Sequence, residues 1–105
     1  MNLLFICSRN QWRSPTAEKI FRNRKGIYTR SAGTSASARI RVNLQMIHWA
    51  DIIFVMEQKH LERLRENFPG ESENKVIHVL HIPDDYRFMD EELIEILQAS
   101  VDPYL

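Results

Sequence analysis

The chain has 105 residues, and its 14 Lys and Arg are balanced by 14 Asp and Glu, so the formal net charge is zero. That length makes one domain over residues 1–105, able to bury roughly 65% of its unfolded surface. With the charge balanced, nothing in the bulk electrostatics points to nucleic acid or an anionic membrane as partner, and no apolar run nears the ~20 residues needed to span a bilayer. Met1 to Ile6 is too short for a signal peptide and has no basic leader. A single cysteine, Cys7, rules out an internal disulfide and fits a reducing cytoplasm.

Leu3 to Ile6 are consecutive apolar residues without polar alternation, as expected of a strand buried on both faces of a parallel sheet. Cys7-Ser8-Arg9-Asn10-Gln11-Trp12-Arg13 follows as a loop, and Ser14-Pro15 reads as a helix start, with Ser14 as the cap. Ala17, Ile20 and Phe21 then recur at helical spacing to about Arg24. Ile27 to Ser31 is a second strand, parallel to the first through a right-handed crossover. Ala32 to Ser37 is a loop by composition, and Arg39 to Trp49 is a helix without clear caps. Ile52 to Met56 is a buried strand, and Glu57 to Phe68 an amphipathic helix stopped by Pro69-Gly70. Lys75 to Ile82 gives the fourth strand, Pro83-Asp84-Asp85-Tyr86 a loop, and Asp90 caps a last helix through Leu97. The β-α alternation implies an α/β fold: a four-stranded parallel sheet with helices on both faces.

In such sheets ligands bind beyond the carboxyl ends of the strands, which puts Cys7 and Asp84 on one rim. Backbone N–H groups of a turn running into a helix N-terminus make an anion cradle. Arg13 adds a planar, permanently charged fork suited to phosphate oxygens. That field favours the thiolate form of a cysteine. An ionised nucleophile inside a phosphate cradle points to phosphoryl transfer through a phosphocysteine.

Cys7-x5-Arg13-Ser14 on a strand–loop–helix resembles the phosphate loop of the low-molecular-weight protein tyrosine phosphatases. Asn10 inside the loop and Pro15-Thr16-Ala17-Glu18 after it match as well. So do Ser31-Ala32-Gly33-Thr34 and Ala50-Asp51-Ile52-Ile53-Phe54-Val55-Met56, in the right order. The likeness is nearest to a short bacterial branch of that family. It implies a three-layer fold and a cysteine-dependent phosphomonoester hydrolase that needs no metal or organic cofactor. The substrate would be a phosphorylated small molecule or a phosphotyrosine protein. Cys7 would be the nucleophile, and Arg13 would hold the phosphoryl group with Ser8, Arg9, Asn10, Gln11, Trp12 and Ser14. The family takes its general acid from an Asp-Pro-aromatic loop. Asp102-Pro103-Tyr104 matches by letters, yet Asp84 follows the fourth strand directly, so Asp84 is the first choice, Asp85 the second and Asp102 the third. Tyr86 would flank the pocket and stack on an aromatic substrate.

The sequence departs from the family at several points. Trp12 stands where many members carry a second, protective Cys, so Cys7 should over-oxidise more easily. Arg9 replaces a usual Gly. The segments after Thr34 and before Asp84, which supply pocket walls, are short. With Cys7 alone, the chemistry of the related thioredoxin-linked arsenate reductases is disfavoured. Two rival readings stay open: a non-catalytic module that binds phosphate or a phosphoprotein through the same loop, and a phosphocarrier, against which Arg13 argues. His48, His60, His78 and His81 read as surface or packing histidines, and Glu57 to Glu66 as a solvated helix face.

Overall fold

A computed structural model describes all 105 residues. Four parallel strands form one sheet in the order β2-β1-β3-β4: β1 Asn2–Cys7, β2 Tyr28–Gly33, β3 Ile52–Val55 and β4 Val76–Val79. Between and after them run α1 Arg13–Phe21, α2 Leu44–Trp49, α3 Gln58–Asn67, α4 Pro69–Glu73 and α5 Glu91–Val101, followed by a 3-10 turn at Asp102–Tyr104. No helix is long and apolar enough to cross a membrane.

The apolar run in β1 explains its central place. Leu3 and Phe5 point into a core shared with Phe21 of α1 and with Leu93, Leu97 and Val101 of α5. Leu4 and Ile6 point the other way, against Ile47 of α2 and Leu61 and Leu64 of α3. A strand with period-two side chains can be apolar throughout only if both faces are covered. Phe5 is stacked between Phe21 and Phe54, with ring centroids 5.6 and 5.4 Å away, and truncating such a ring costs about 3–5 kcal/mol.

Several boundaries differ from the sequence reading, each for a local reason. The first helix begins at Arg13, not Pro15, and Ser14 does not cap it; the Ser14 hydroxyl turns back under Cys7 instead. Its first turn is held by Thr16, whose N–H and hydroxyl both donate to the Trp12 carbonyl. Only Leu44–Trp49 of the expected 39–49 helix forms, capped by Asn43, whose side chain accepts from the Met46 N–H. The preceding residues are extended because Gly33 N–H donates to Ile40 O and Val42 N–H to Gly33 O. Pro69-Gly70 ends α3 as expected but opens the short α4, proline being favoured in a first turn. Asp90 caps α5, accepting from the N–H groups of Glu92 and Leu93.

The chain leaves β1 for β2 on one side, then crosses to β3 on the other. The crevice opened by that reversal lies at the carboxyl end of β1, where Cys7 sits.

Candidate active site

Cys7 is buried, and its Sγ lies 2.9 Å from Ser14 Oγ. Ser14 Oγ in turn accepts from Asn10 Nδ2 at 2.9 Å. When the sulfur is a thiolate it can only accept, so the Ser14 proton turns toward it. Asn10 is fully buried with φ of 57°, a left-handed conformation that Asn tolerates better than most residues. Its Nδ2 also donates to Ser31 Oγ at 2.9 Å, and Ser31 passes its own proton to Glu18 Oε1 at 2.6 Å. A chain of buried side chains thus fixes the loop from beneath.

The loop backbone is polarised. The carbonyls of Cys7, Ser8 and Arg9 accept from the N–H groups of Thr34, Ser35 and Arg39, and the Asn10 carbonyl accepts from Arg39 Nε. None of the N–H groups from Ser8 to Arg13 donates to a protein acceptor. With the carbonyls of Cys7 to Asn10 satisfied and the N–H groups free, the loop has the form of an anion nest at a helix N-terminus. Gly33 allows the strap from Thr34 to Arg39 to lie this close. A Cβ on Gly33 would meet Ser8 O at 2.5 Å and Ala38 Cβ at 2.7 Å.

Arg13 is 2% exposed. Both protons of one terminal nitrogen are used: Nη1 donates to Glu57 Oε2 at 2.6 Å and to the Ile82 carbonyl at 2.8 Å. Nε lies 3.6 Å from Asp84 Oδ1. The Nε–Nη2 edge therefore remains as the fork for a bidentate oxyanion. Partial burial pushes the Glu57 carboxyl up, but the Arg13 hydrogen bond and charge, with Lys59 and His60, hold it below its ordinary range.

A small cavity of about 110 Å³ is lined by Cys7, Arg9, Gln11, Trp12, Arg13 and Asp84. The structure thus brings six of the expected residues together at one mouth. Ser8, Asn10 and Ser14 shape it from behind. Asp85 and Tyr86 are outside the lining, contrary to their expected place at the pocket. Asp85 is exposed, and Tyr86 leans on the apolar core beneath α5, because the loop turns away after Asp84. Asp102 pairs with Arg24 at 2.6 Å, beyond the far end of α1 from the loop.

Two residues that the sequence reading set aside belong here. Glu57 is not a solvated helix charge but the anchor of Arg13. His60 is a packing histidine that also ties down the loop, being fully buried with its Nε2 2.8 Å from Ser8 Oγ. The signal available was position, since both follow β3 at the same carboxyl rim as Cys7. The other histidines are elsewhere; His78, for one, stacks on Tyr104.

The model of the low-molecular-weight phosphotyrosine protein phosphatases matches residues 2–49. No curated protein matches the chain. Among solved structures, a low-molecular-weight phosphotyrosine phosphatase from Vibrio cholerae O395 is 26% identical with a TM-score of 0.74, covering 99% of this chain and 96% of that one. The tyrosine phosphatase Wzb of Escherichia coli K30, solved in complex with phosphate, is 22% identical with a TM-score of 0.75, covering 98% and 94%. The arginine phosphatase YwlE of Geobacillus stearothermophilus is 21% identical with a TM-score of 0.64, covering 97% and 84%. The family model thus matches the Cys7 loop and the residues up to Trp49, and the fold is shared with these phosphatases along the whole chain. This protein therefore has the low-molecular-weight phosphatase fold and is similar to that family through its phosphate loop.

Proposed function

We propose that the chain is a cytoplasmic, cysteine-dependent phosphomonoester hydrolase that favours aryl phosphates such as phosphotyrosine. The observation that carries this reading is the polarised loop: free N–H groups from Ser8 to Arg13 surround the carboxyl end of β1, with the Arg13 fork and the Cys7 sulfur at one cavity. The Cys7 thiolate attacks phosphorus in line and displaces the substrate oxygen. Arg13 and the loop amides hold the three equatorial oxygens, where charge accumulates. Asp84 gives its proton to the leaving oxygen, then takes one from the water that attacks the phosphocysteine and returns free phosphate. Ser14 donates to the thiolate when it forms and again when it is released. The exposed Trp12 ring at the mouth supports an aryl group on the substrate.

Turnover of p-nitrophenyl phosphate without metal tests this. Cys7→Ser should abolish it, Asp84→Asn should lower it about 10²–10⁴-fold, and Asp102→Asn should leave it unchanged. Phosphotyrosine and phosphoarginine, compared side by side, give the substrate class. No turnover, with phosphate binding that disappears in Arg13→Ala, would make the chain a binding module instead.

A further inference from the structure

A second groove opens from the mouth of the cavity. Gln11 lines both, so the two adjoin. The groove holds about 370 Å³ and runs along the outer side of α1, where Pro15, Glu18, Lys19 and Arg22 share one helical face at positions i, i+3, i+4 and i+7. Arg39 and the exposed Phe88 also line it.

Its charge is one-sided. Lys19, Arg22 and Arg39 have no carboxylate within 4.0 Å, although four other ion pairs form in the molecule. Arg39 is steadied by its bond to the Asn10 carbonyl, and Lys19 Nζ lies 5.5 Å from the centre of the Phe88 ring. The one acid in the groove, Glu18, accepts the Ser31 proton on Oε1. A chain with zero net charge therefore gathers three cations without ion-pair partners, against one carboxylate, beside its candidate site.

Resting on the hydrolase reading above, we infer that this groove binds an acidic segment of a phosphorylated protein, next to the residue whose phosphoryl group enters the cavity. Pro15 to Arg22 spans about 10 Å of helix, which an extended peptide crosses in about three residues. The recognised acids thus lie within about three positions of the phosphorylated residue, on one side of it. Exposed Phe88 in the groove and exposed Trp12 at the cavity supply apolar contact.

The test compares phosphotyrosine peptides carrying Glu within three positions, on either side, with the same peptides carrying Gln. Binding is read on the Cys7→Ser protein, and turnover of p-nitrophenyl phosphate is read on the protein with Cys7 intact. At low ionic strength one acidic series should bind about five- to tenfold tighter than its neutral counterpart. High salt should erase the difference. The Lys19→Glu, Arg22→Glu double variant should erase it too, while turning over p-nitrophenyl phosphate as before. Equal affinity for acidic and neutral peptides, binding of neither, or a preference that survives the charge reversal would each overturn the inference. A preference for acidic peptides without any turnover of p-nitrophenyl phosphate would uphold the groove and remove the hydrolase reading alone.

Discussion

His60 Nε2 and Ser8 Oγ, 52 residues apart in the chain, lie 2.8 Å from each other. The Glu57 backbone N–H donates to His60 Nδ1 at 3.0 Å, so Nδ1 is the acceptor and the neutral ring carries its proton on Nε2. That proton goes to Ser8. One imidazole therefore joins the loop after β1 to the start of α3, and α3 begins beside the carboxylate that holds Arg13.

Replacing His60 should loosen both attachments. His60→Ala leaves the Glu57 N–H unpaired beside a new cavity, and is expected to lower stability by about 2–4 kcal/mol. His60→Gln, which keeps a hydrogen-bonding side chain, should lose less. Urea unfolding gives the stabilities. Turnover of p-nitrophenyl phosphate by the folded fraction should fall mainly in kcat, since the loop's position is altered and its charge is not.

The same ring should make stability depend on pH. Burial, then the positive charge of Arg13, lowers the His60 pKa from 6.5 to about 4, against an opposing pull from Glu57. The unfolded chain thus binds a proton that the folded chain refuses. The contribution is complete above pH 6.5 and is lost as pH falls toward 4, integrating to about 3 kcal/mol. Glu57, also held low in the fold, adds a further loss below its ordinary value of 4.5. Thermal unfolding from pH 7 to pH 4 should show the decline, and His60→Gln should flatten its upper part.

Gly33→Ala places a methyl 2.5 Å from the Ser8 carbonyl and 3.0 Å from the Asn10 N–H nitrogen. Both neighbours are backbone and cannot swing aside. The variant is expected to lose about 1–3 kcal/mol by overpacking and to bind phosphate more weakly, because the loop that must move carries the free N–H groups. Isothermal titration with inorganic phosphate measures the second effect.

Glu57→Gln keeps the shape of the Arg13 anchor and removes its charge. Loss of a charged hydrogen bond to a buried guanidinium should cost about 1.5–3 kcal/mol. Turnover should fall along with it, since a neutral amide oxygen would hold the Arg13 fork less firmly than the carboxylate does. Comparing denaturation midpoints with kcat separates the two effects.

The central strand, the loop and the last helix were legible because local rules agree there. Leu3 to Ile6 is unbroken and apolar, and Asp90 is a good cap on a periodic segment. The Arg39–Val42 stretch misled because Ile40 and Leu44 lie at helical spacing, while the backbone is captured by Gly33. Ser14 misleads for a related reason: its oxygen accepts from Asn10 Nδ2 and lies against the sulfur of Cys7, rather than accepting from the N–H groups of the helix end. Glu57 and His60 could not be assigned from composition, since their partners are 44 and 52 residues distant. Asp84 reaches the cavity wall from its position after β4, although it is followed by Asp85 where the family has proline.

Arg13 collects Glu57 from the start of α3, Ile82 from beyond β4 and Asp84 from the next loop. A chain emerging from synthesis and grown only through β2 already contains Cys7 and all of its loop, but none of those three contacts. Arg13 is then untethered beside Cys7. The contacts that fix Arg13 beside Cys7 therefore form only when the fourth strand docks, so the candidate site is assembled last, after nearly the whole chain has been made.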